Sequence, residues 1–171
     1  MGEALDDVLR LVRQLRGEDL WNGHINSAHT DVPPIETLLP HRDPFLLIDK
    51  VVAFDLNATR LRAQRHINQK DPVFAGHFPG DPVYPAVLQV EMIGQAGIAL
   101  LRLLESGGRT KVRATKVLHA IFFAPLLPGD TVQINCVVFD HDAAIVRIGG
   151  QVWKEHTLCS VAICEILVID E

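Results

Sequence analysis

Cysteine is scarce in this chain of 171 residues: there are three, Cys136, Cys159 and Cys164, and no CxxC spacing joins any of them. That composition excludes a disulfide framework or a zinc ribbon and points to buried thiols in a reducing compartment. The eight histidines fall into no metal-ligand spacing, so no metal site is expected. Positive charge is also in short supply. There are 16 Lys and Arg against 21 Asp and Glu, a net charge of −5, which argues against nucleic acid as a partner. The N-terminus lacks the cationic stretch followed by an apolar one that marks a secretory signal, and a cytoplasmic location is expected.

Long apolar runs are limited to one, Ala86 to Leu101. It lies within VYPAVLQVEMIGQAGIALLRLL (Val83 to Leu104), which has Pro85 near its start and Ser106-Gly107-Gly108 after it. Proline at the start and glycine past the end predict one long helix. Between Ala86 and Leu101 only Gln89, Glu91 and Gln95 are polar, so the helix is expected to be enclosed nearly all round. About 20 apolar residues would cross a bilayer, but an internal Glu, two Gln and two Gly argue for a core helix and no membrane span. An ionised carboxylate in such surroundings is costly unless paired or solvated, and Gln95, one turn on, shares its face. The Glu91/Gln95 stripe therefore points at a partner, a wet cavity or a ligand; otherwise the acid is only a hydrogen-bonded member of the core.

Just ahead of this helix stands Gly76-His77-Phe78-Pro79-Gly80. A lone histidine is more often a core residue than a catalyst. This one is set in a tight loop by glycines and a proline, which permit unusual backbone and close approach of a ligand. Unperturbed imidazole has a pKa of about 6.5 and can serve as a neutral base at working pH.

The stretch GHFPGDPVYPAVLQVEMIGQAG, with Leu39-Pro40-His41-Arg42-Asp43-Pro44-Phe45 before it and Pro128-Gly129-Asp130 after it, resembles the hot-dog-fold 3-hydroxyacyl-[acyl-carrier-protein] dehydratases, in the branch that pairs its histidine with glutamate. Order and spacing agree over residues 35–171. The resemblance implies an α+β hot-dog fold, an antiparallel sheet wrapped around a long apolar helix, that dehydrates 3-hydroxyacyl thioesters without a cofactor. His77 would take the C2 proton, and Glu91 would protonate the leaving hydroxyl or hold the water involved. The thioester carbonyl would sit against the helix N-terminus near Ala86 and Val87, with Phe78, Tyr84 and Gln95 around the substrate. In the family the two catalytic groups come from opposite subunits of a homodimer, with a trimer of dimers as a further assembly, and the His77–Phe78 peptide is expected to be cis. The acyl group would arrive on an acyl carrier protein or on coenzyme A.

Three departures from the family pattern stand out. Ala86 replaces a glycine, Tyr84 replaces a frequent methionine, and His119 to Pro125 lacks the cations that relatives use to dock an acidic carrier protein. The cations of Arg60, Arg62, Arg65 and Lys70 are the candidate docking surface instead, although such a run is usually a solvated face. His41 and Arg42 read as structural, near the active-site mouth. Two other readings share the architecture: a hot-dog thioesterase, disfavoured by His77, and a catalytically inactive acyl-thioester binding module, for which Ala86 is the support.

Strands are predicted over Phe45–Phe54, Thr59–Ile67, Val112–Phe123, Thr131–Phe139, Ala144–Lys154 and Thr157–Ile169, with turns at Pro128-Gly129-Asp130, Asp140-His141-Asp142 and Glu155-His156. Residues 1–34 form a separate segment. Leu5, Val8, Leu9, Val12 and Leu15 share one face of a short amphipathic helix, Glu3 to Arg16, whose acids precede its arginines, and a linker follows. That helix is expected to pack on its own or a neighbouring subunit, in preference to docking a carrier protein.

Overall fold

The computed structural model describes residues 2–22, 29–105, 111–142 and 144–169, backbone only at 2–5 and 140–142. Helix α1 spans Gly2–Gly17 and a single turn, α2, Ile35–Leu38. Strands β1 (Lys50–Asp55) and β2 (Arg60–His66) precede the long helix α3 (Ala86–Leu104). After it come β3 (Lys111–Phe122), β4 (Thr131–Asp142), β5 (Ile145–Lys154) and β6 (Thr157–Ile169). The six strands form one sheet of order β1-β2-β4-β5-β6-β3, and every pairing is antiparallel. Helix α3 carries the chain from β2 to the far edge, which leaves β3 as an edge strand twelve residues long.

Both faces of the sheet are covered, and β6 shows how. Ala162, Cys164 and Ile166 belong to the core around α3, whereas Val161 and Ile163 belong to a second cluster with Leu11, Val12 and Leu15 of α1. The two-residue period of a strand sends alternate side chains to opposite faces, so a strand covered on both sides reads as an uninterrupted apolar run. On the α3 face, two glycines set the spacing. A Cβ at Gly97 would lie 2.4 Å from Ile148 Cδ1, and one at Gly150 would lie 2.7 Å from Ile93 Cγ2. Their missing side chains let α3 sit directly on β5. This packing identifies the membrane-length apolar helix as the core helix of the fold.

Helix α1 is fixed to its own sheet by buried polar groups as well. The Gln151 amide donates to the Leu15 and Glu18 carbonyls at 2.6 and 2.7 Å, taking up free carbonyls at the helix end, and its oxygen accepts from Leu20 N–H at 2.9 Å. Beside it, Arg62 donates to Asp19 Oδ2 at 2.7 Å and to Asn135 Oδ1 at 2.8 Å, and it stacks on Trp21. The N-terminal segment is thus a layer of the same body.

The fold departs from expectation in three places. Phe45–Asp49 is not strand: the carbonyl of Phe45 and the N–H of Leu47 bond to the Gln95 side chain instead of a neighbouring strand. Strand β4 continues through Asp142, past the turn expected at 140–142. Ser106-Gly107-Gly108, expected to stop α3, lies outside the described residues. Finally, α3 is not enclosed all round. Val87 is 70% exposed, and the side bearing Val87, Glu91 and Gly94 borders a cavity against β3.

Candidate active site

His77 is held from both ends of its loop. Asp71 caps the 3-10 turn Pro72–Ala75 by accepting from Val73 N–H at 3.1 Å, and the N–H of His77 donates back to the Val73 carbonyl at 3.0 Å. Beyond it, Gly80 supplies the positive φ, +83°, that the turn requires. The imidazole Nδ1 donates to the Val83 carbonyl at 2.8 Å, which leaves Nε2 as the basic nitrogen. The His77–Phe78 peptide is cis, as expected, and the Phe78 ring stacks on the imidazole with centroids 4.0 Å apart.

Glu91, on the second turn of α3, is held by a different set of residues. Gln95 Nε2 donates to its Oε1 at 2.9 Å. The same amide group bonds Phe45 O and Leu47 N–H, both at 2.9 Å, so Gln95 has no polar atom to spare and is fully buried. It orients Glu91 and does not face the cavity, contrary to the expectation that it touches substrate. His41 Nε2 lies 3.6 Å from Glu91 Oε1. Arg42 fixes that loop by donating to the carbonyls of Leu39, His41 and Glu36 at 2.9, 2.6 and 3.2 Å. His41 lies near the site, where the Leu-Pro-His-Arg run ahead of Pro44 placed it, and its direct approach to Glu91 is the part that the sequence did not signal.

The two groups open into different hollows of a single protomer. Glu91 lines an apolar cavity of about 670 Å³ with His41, Val87, Gly94, Val117 and Phe122. His77 lines one of about 300 Å³ with Tyr84, Ala86, Gln89, Phe122 and Phe123. Phe122 is the wall common to both. Successive residues at the start of α3 thus serve separate hollows, Ala86 that of His77 and Val87 that of Glu91. Ala86 is the first residue of α3 and is not among the positive-φ positions, so its methyl causes no backbone strain there.

Two other expected site residues stand beside His77, Tyr84 in the wall of its hollow and Phe78 against its ring. Tyr84 is 1% exposed and belongs to the core; burial pushes its hydroxyl up to about 12, with Arg65, Asp71 and Asp49 nearby as lesser influences. Phe78 is 53% exposed and lines a shallow hollow with Lys70 and Gly80. The proposed cationic docking run does not form one. Arg62 is bound to Asp19 and Asn135, Arg65 donates to Asp49 Oδ1 at 2.9 Å, and Arg60 donates to the Leu20 carbonyl. Lys70 alone of the four is exposed. Among the described residues no group of three or more His, Cys, Asp or Glu side chains converges on a metal position.

Comparison with known proteins bears on the family and the fold. The FabA-like domain family matches residues 39–162. The 3-hydroxyacyl-[acyl-carrier-protein] dehydratase FabZ of Nitratiruptor is 33% identical over 147 residues, covering 82% of this chain and 99% of the relative. The protein of the same name from Haemophilus influenzae is 40% identical over 117 residues, covering 68% and 78%. Among solved structures, the dehydratase heterocomplex ApeI:P of Xenorhabdus doucetiae superimposes with a TM-score of 0.66 at 16% identity, covering 81% of this chain and 93% of that one. A thioesterase of Pseudomonas aeruginosa, in a mutant form, gives 0.60 at 14% identity, covering 80% and 94%. These two likenesses speak for the hot-dog fold; the relatives and the domain match speak for the family. The chain belongs to the FabA-like domain family, on the side of the FabZ-type 3-hydroxyacyl-[acyl-carrier-protein] dehydratases.

Proposed function

We propose that this protein dehydrates (3R)-3-hydroxyacyl thioesters carried on an acyl carrier protein to trans-2-enoyl thioesters, in fatty acid or related acyl-chain biosynthesis. The observation that carries the reading is the fixed imidazole of His77: with Nδ1 given to Val83, Nε2 is left to accept a proton. His77 Nε2 takes the proton from C2, and the C–H electrons form the C2–C3 double bond as the C3–O bond breaks. Glu91 supplies the proton with which the hydroxyl leaves as water, and proton return from His77 to Glu91 resets the site. Each such transfer is worth about 10²–10⁴-fold. The carbonyl is held by the free N–H groups at the start of α3, which carry the positive end of the helix dipole and have no side-chain cap. The acyl chain occupies the apolar Glu91 cavity.

The working unit is a homodimer with shared sites. His77 and Glu91 face separate hollows of one protomer, and the edge strand β3, on which Val117 is 59% and Phe122 44% exposed, offers the surface for a second copy. The three thiols are free and buried, which suits the cytoplasm.

The test is hydration of a crotonyl thioester, the reverse reaction, by mixtures of two inactive variants, His77→Ala and Glu91→Gln. Random mixed dimers with sites built across the interface would regain roughly a quarter of the original activity. Recovery of none places both groups in one subunit and overturns the shared site. Thiol release without hydration by the unaltered protein overturns the dehydratase reading in favour of a thioesterase.

A further inference from the structure

We propose that the exposed arginines of the N-terminal helix, Arg13 and Arg16, form the docking face for the acidic carrier protein that delivers the acyl group. The inference rests on the dehydratase reading and adds to it an element that lies outside the family domain, since the domain match begins at residue 39. The wall of the His77 cavity is built partly by Phe122 and Phe123, 44% and 43% exposed, at the end of β3. That segment, His119 to Pro125, carries no lysine or arginine of its own. The guanidinium of Arg16 nevertheless stands over the Phe123 ring, 5.5 Å from its centroid. A helix appended to the domain thus brings positive charge to a cavity wall that has none.

Arg13 lies one turn back on the same helix and lines a polar hollow of about 410 Å³ between α1 and the start of β2, with Gln14, Asn22 and Arg60. Both arginines are exposed, and among the described residues neither makes an ion pair. The nearest acids on the connection out of α1 are Glu18, which lines the same hollow, and Asp19, which is held by Arg62. Helix α1 is bound to the sheet by its apolar face and by Gln151, so the arginines are free for a partner while the helix itself stays fixed. In a chain of net charge −5, an acidic partner needs such a local concentration of cations to approach. The arginines of β2, spent on internal bonds, do not supply it.

The experiment compares two substrates that share the reacting group: crotonyl-acyl-carrier-protein and crotonyl-N-acetylcysteamine, which carries neither protein nor phosphate. With Arg13→Glu/Arg16→Glu, kcat/KM for the carrier-bound substrate is expected to fall about tenfold or more through KM, and the small thioester is turned over within about twofold of the original rate. Added salt should narrow the difference between the original and altered proteins, because the contact is screened. Arg16→Lys should retain most of the carrier activity. Equal loss with both substrates, or no loss with either, overturns the proposal, as does a loss in Arg16→Lys as large as that in the double variant, which would make Arg16 a support for Phe123 only. Titration of the carrier protein into the full chain separates this from the chemistry. If the unaltered protein hydrates neither substrate, the dehydratase reading fails, and the docking proposal still stands or falls on whether the double variant weakens carrier binding about tenfold.

Discussion

His77 and Val83 are joined by two hydrogen bonds: the imidazole Nδ1 donates to the Val83 carbonyl at 2.8 Å, and the Val83 N–H donates to the His77 carbonyl at 3.0 Å. The pair closes the glycine-rich loop and fixes the imidazole tautomer together. The next two residues, Tyr84 and Pro85, lead directly into α3, so the base and the helix that bears Glu91 are positioned by one short piece of chain.

Replacing His77 with alanine should therefore remove the base without unfolding the protein. Hydration of a crotonyl thioester is expected to fall by about 10²–10⁴-fold or more, while the circular dichroism spectrum is unchanged, because the side chain is half-exposed and the loop keeps its backbone bonds. Retention of more than a tenth of the activity would assign the proton transfer to another group.

Gln95 should matter for stability as well as activity. Gln95→Leu leaves the N–H of Leu47 and the carbonyl of Phe45 without their partner in a buried setting. The cost is about 2–4 kcal/mol, or about 5–15 °C in Tm for a chain of this size. Glu91 loses its donor at the same time, so kcat is expected to drop about tenfold with a smaller change in KM. Thermal unfolding and initial rates on the same preparation check both.

The strands and the helix were legible because their signals are local: runs of Val and Ile for β4 to β6, and Pro85 ahead of the apolar run for α3. His77 and Glu91 stood out in the sequence through their motif, and in one protomer each lines its own hollow. What escaped was set by side chains far apart in sequence. Phe45–Asp49 has the composition of a strand, but its backbone partner is an amide 48 residues from Leu47. Arg62 and Arg65 looked like surface cations because nothing nearby in sequence reveals Asp19, Asn135 and Asp49 as their acceptors. His41 likewise meets Glu91 only through the fold. The open side of α3 was invisible in composition, since a cavity lining and a core face are equally apolar.

Two glycines of this fold should respond in opposite ways. Gly150→Ala places a methyl 2.7 Å from Ile93 Cγ2 and 2.9 Å from the Asn135 carbonyl, an overpacking that costs about 1–3 kcal/mol. Gly94 meets nothing within 4 Å and lies inside α3, so Gly94→Ala should be neutral or stabilising by up to about 1 kcal/mol from helix propensity. Because Gly94 lines the Glu91 cavity, Gly94→Leu should shorten the acyl chains accepted while leaving crotonyl turnover comparatively intact. Denaturant titrations and a chain-length series measure the two effects separately.

The thiol of Cys164 reports on Glu91. Burial, with the Glu91 charge as the second cause, pushes it up from 9.0 to about 11, and burial pushes Cys136 up to about 12. At pH 8 the thiolate fraction of Cys164 is therefore about 100-fold below that of a free cysteine, and a thiol reagent should label it slowly until denaturant is added. The sign for stability follows from the raised value: the folded state favours the neutral thiol, so its contribution is intact below about pH 9 and is lost as pH rises through about 11. Urea midpoints should fall over that interval. Glu91→Gln removes the negative neighbour, lowers the thiol toward its ordinary value and speeds labelling at Cys164 but not at Cys136. An unchanged rate at Cys164 would leave burial alone as the cause of its raised value.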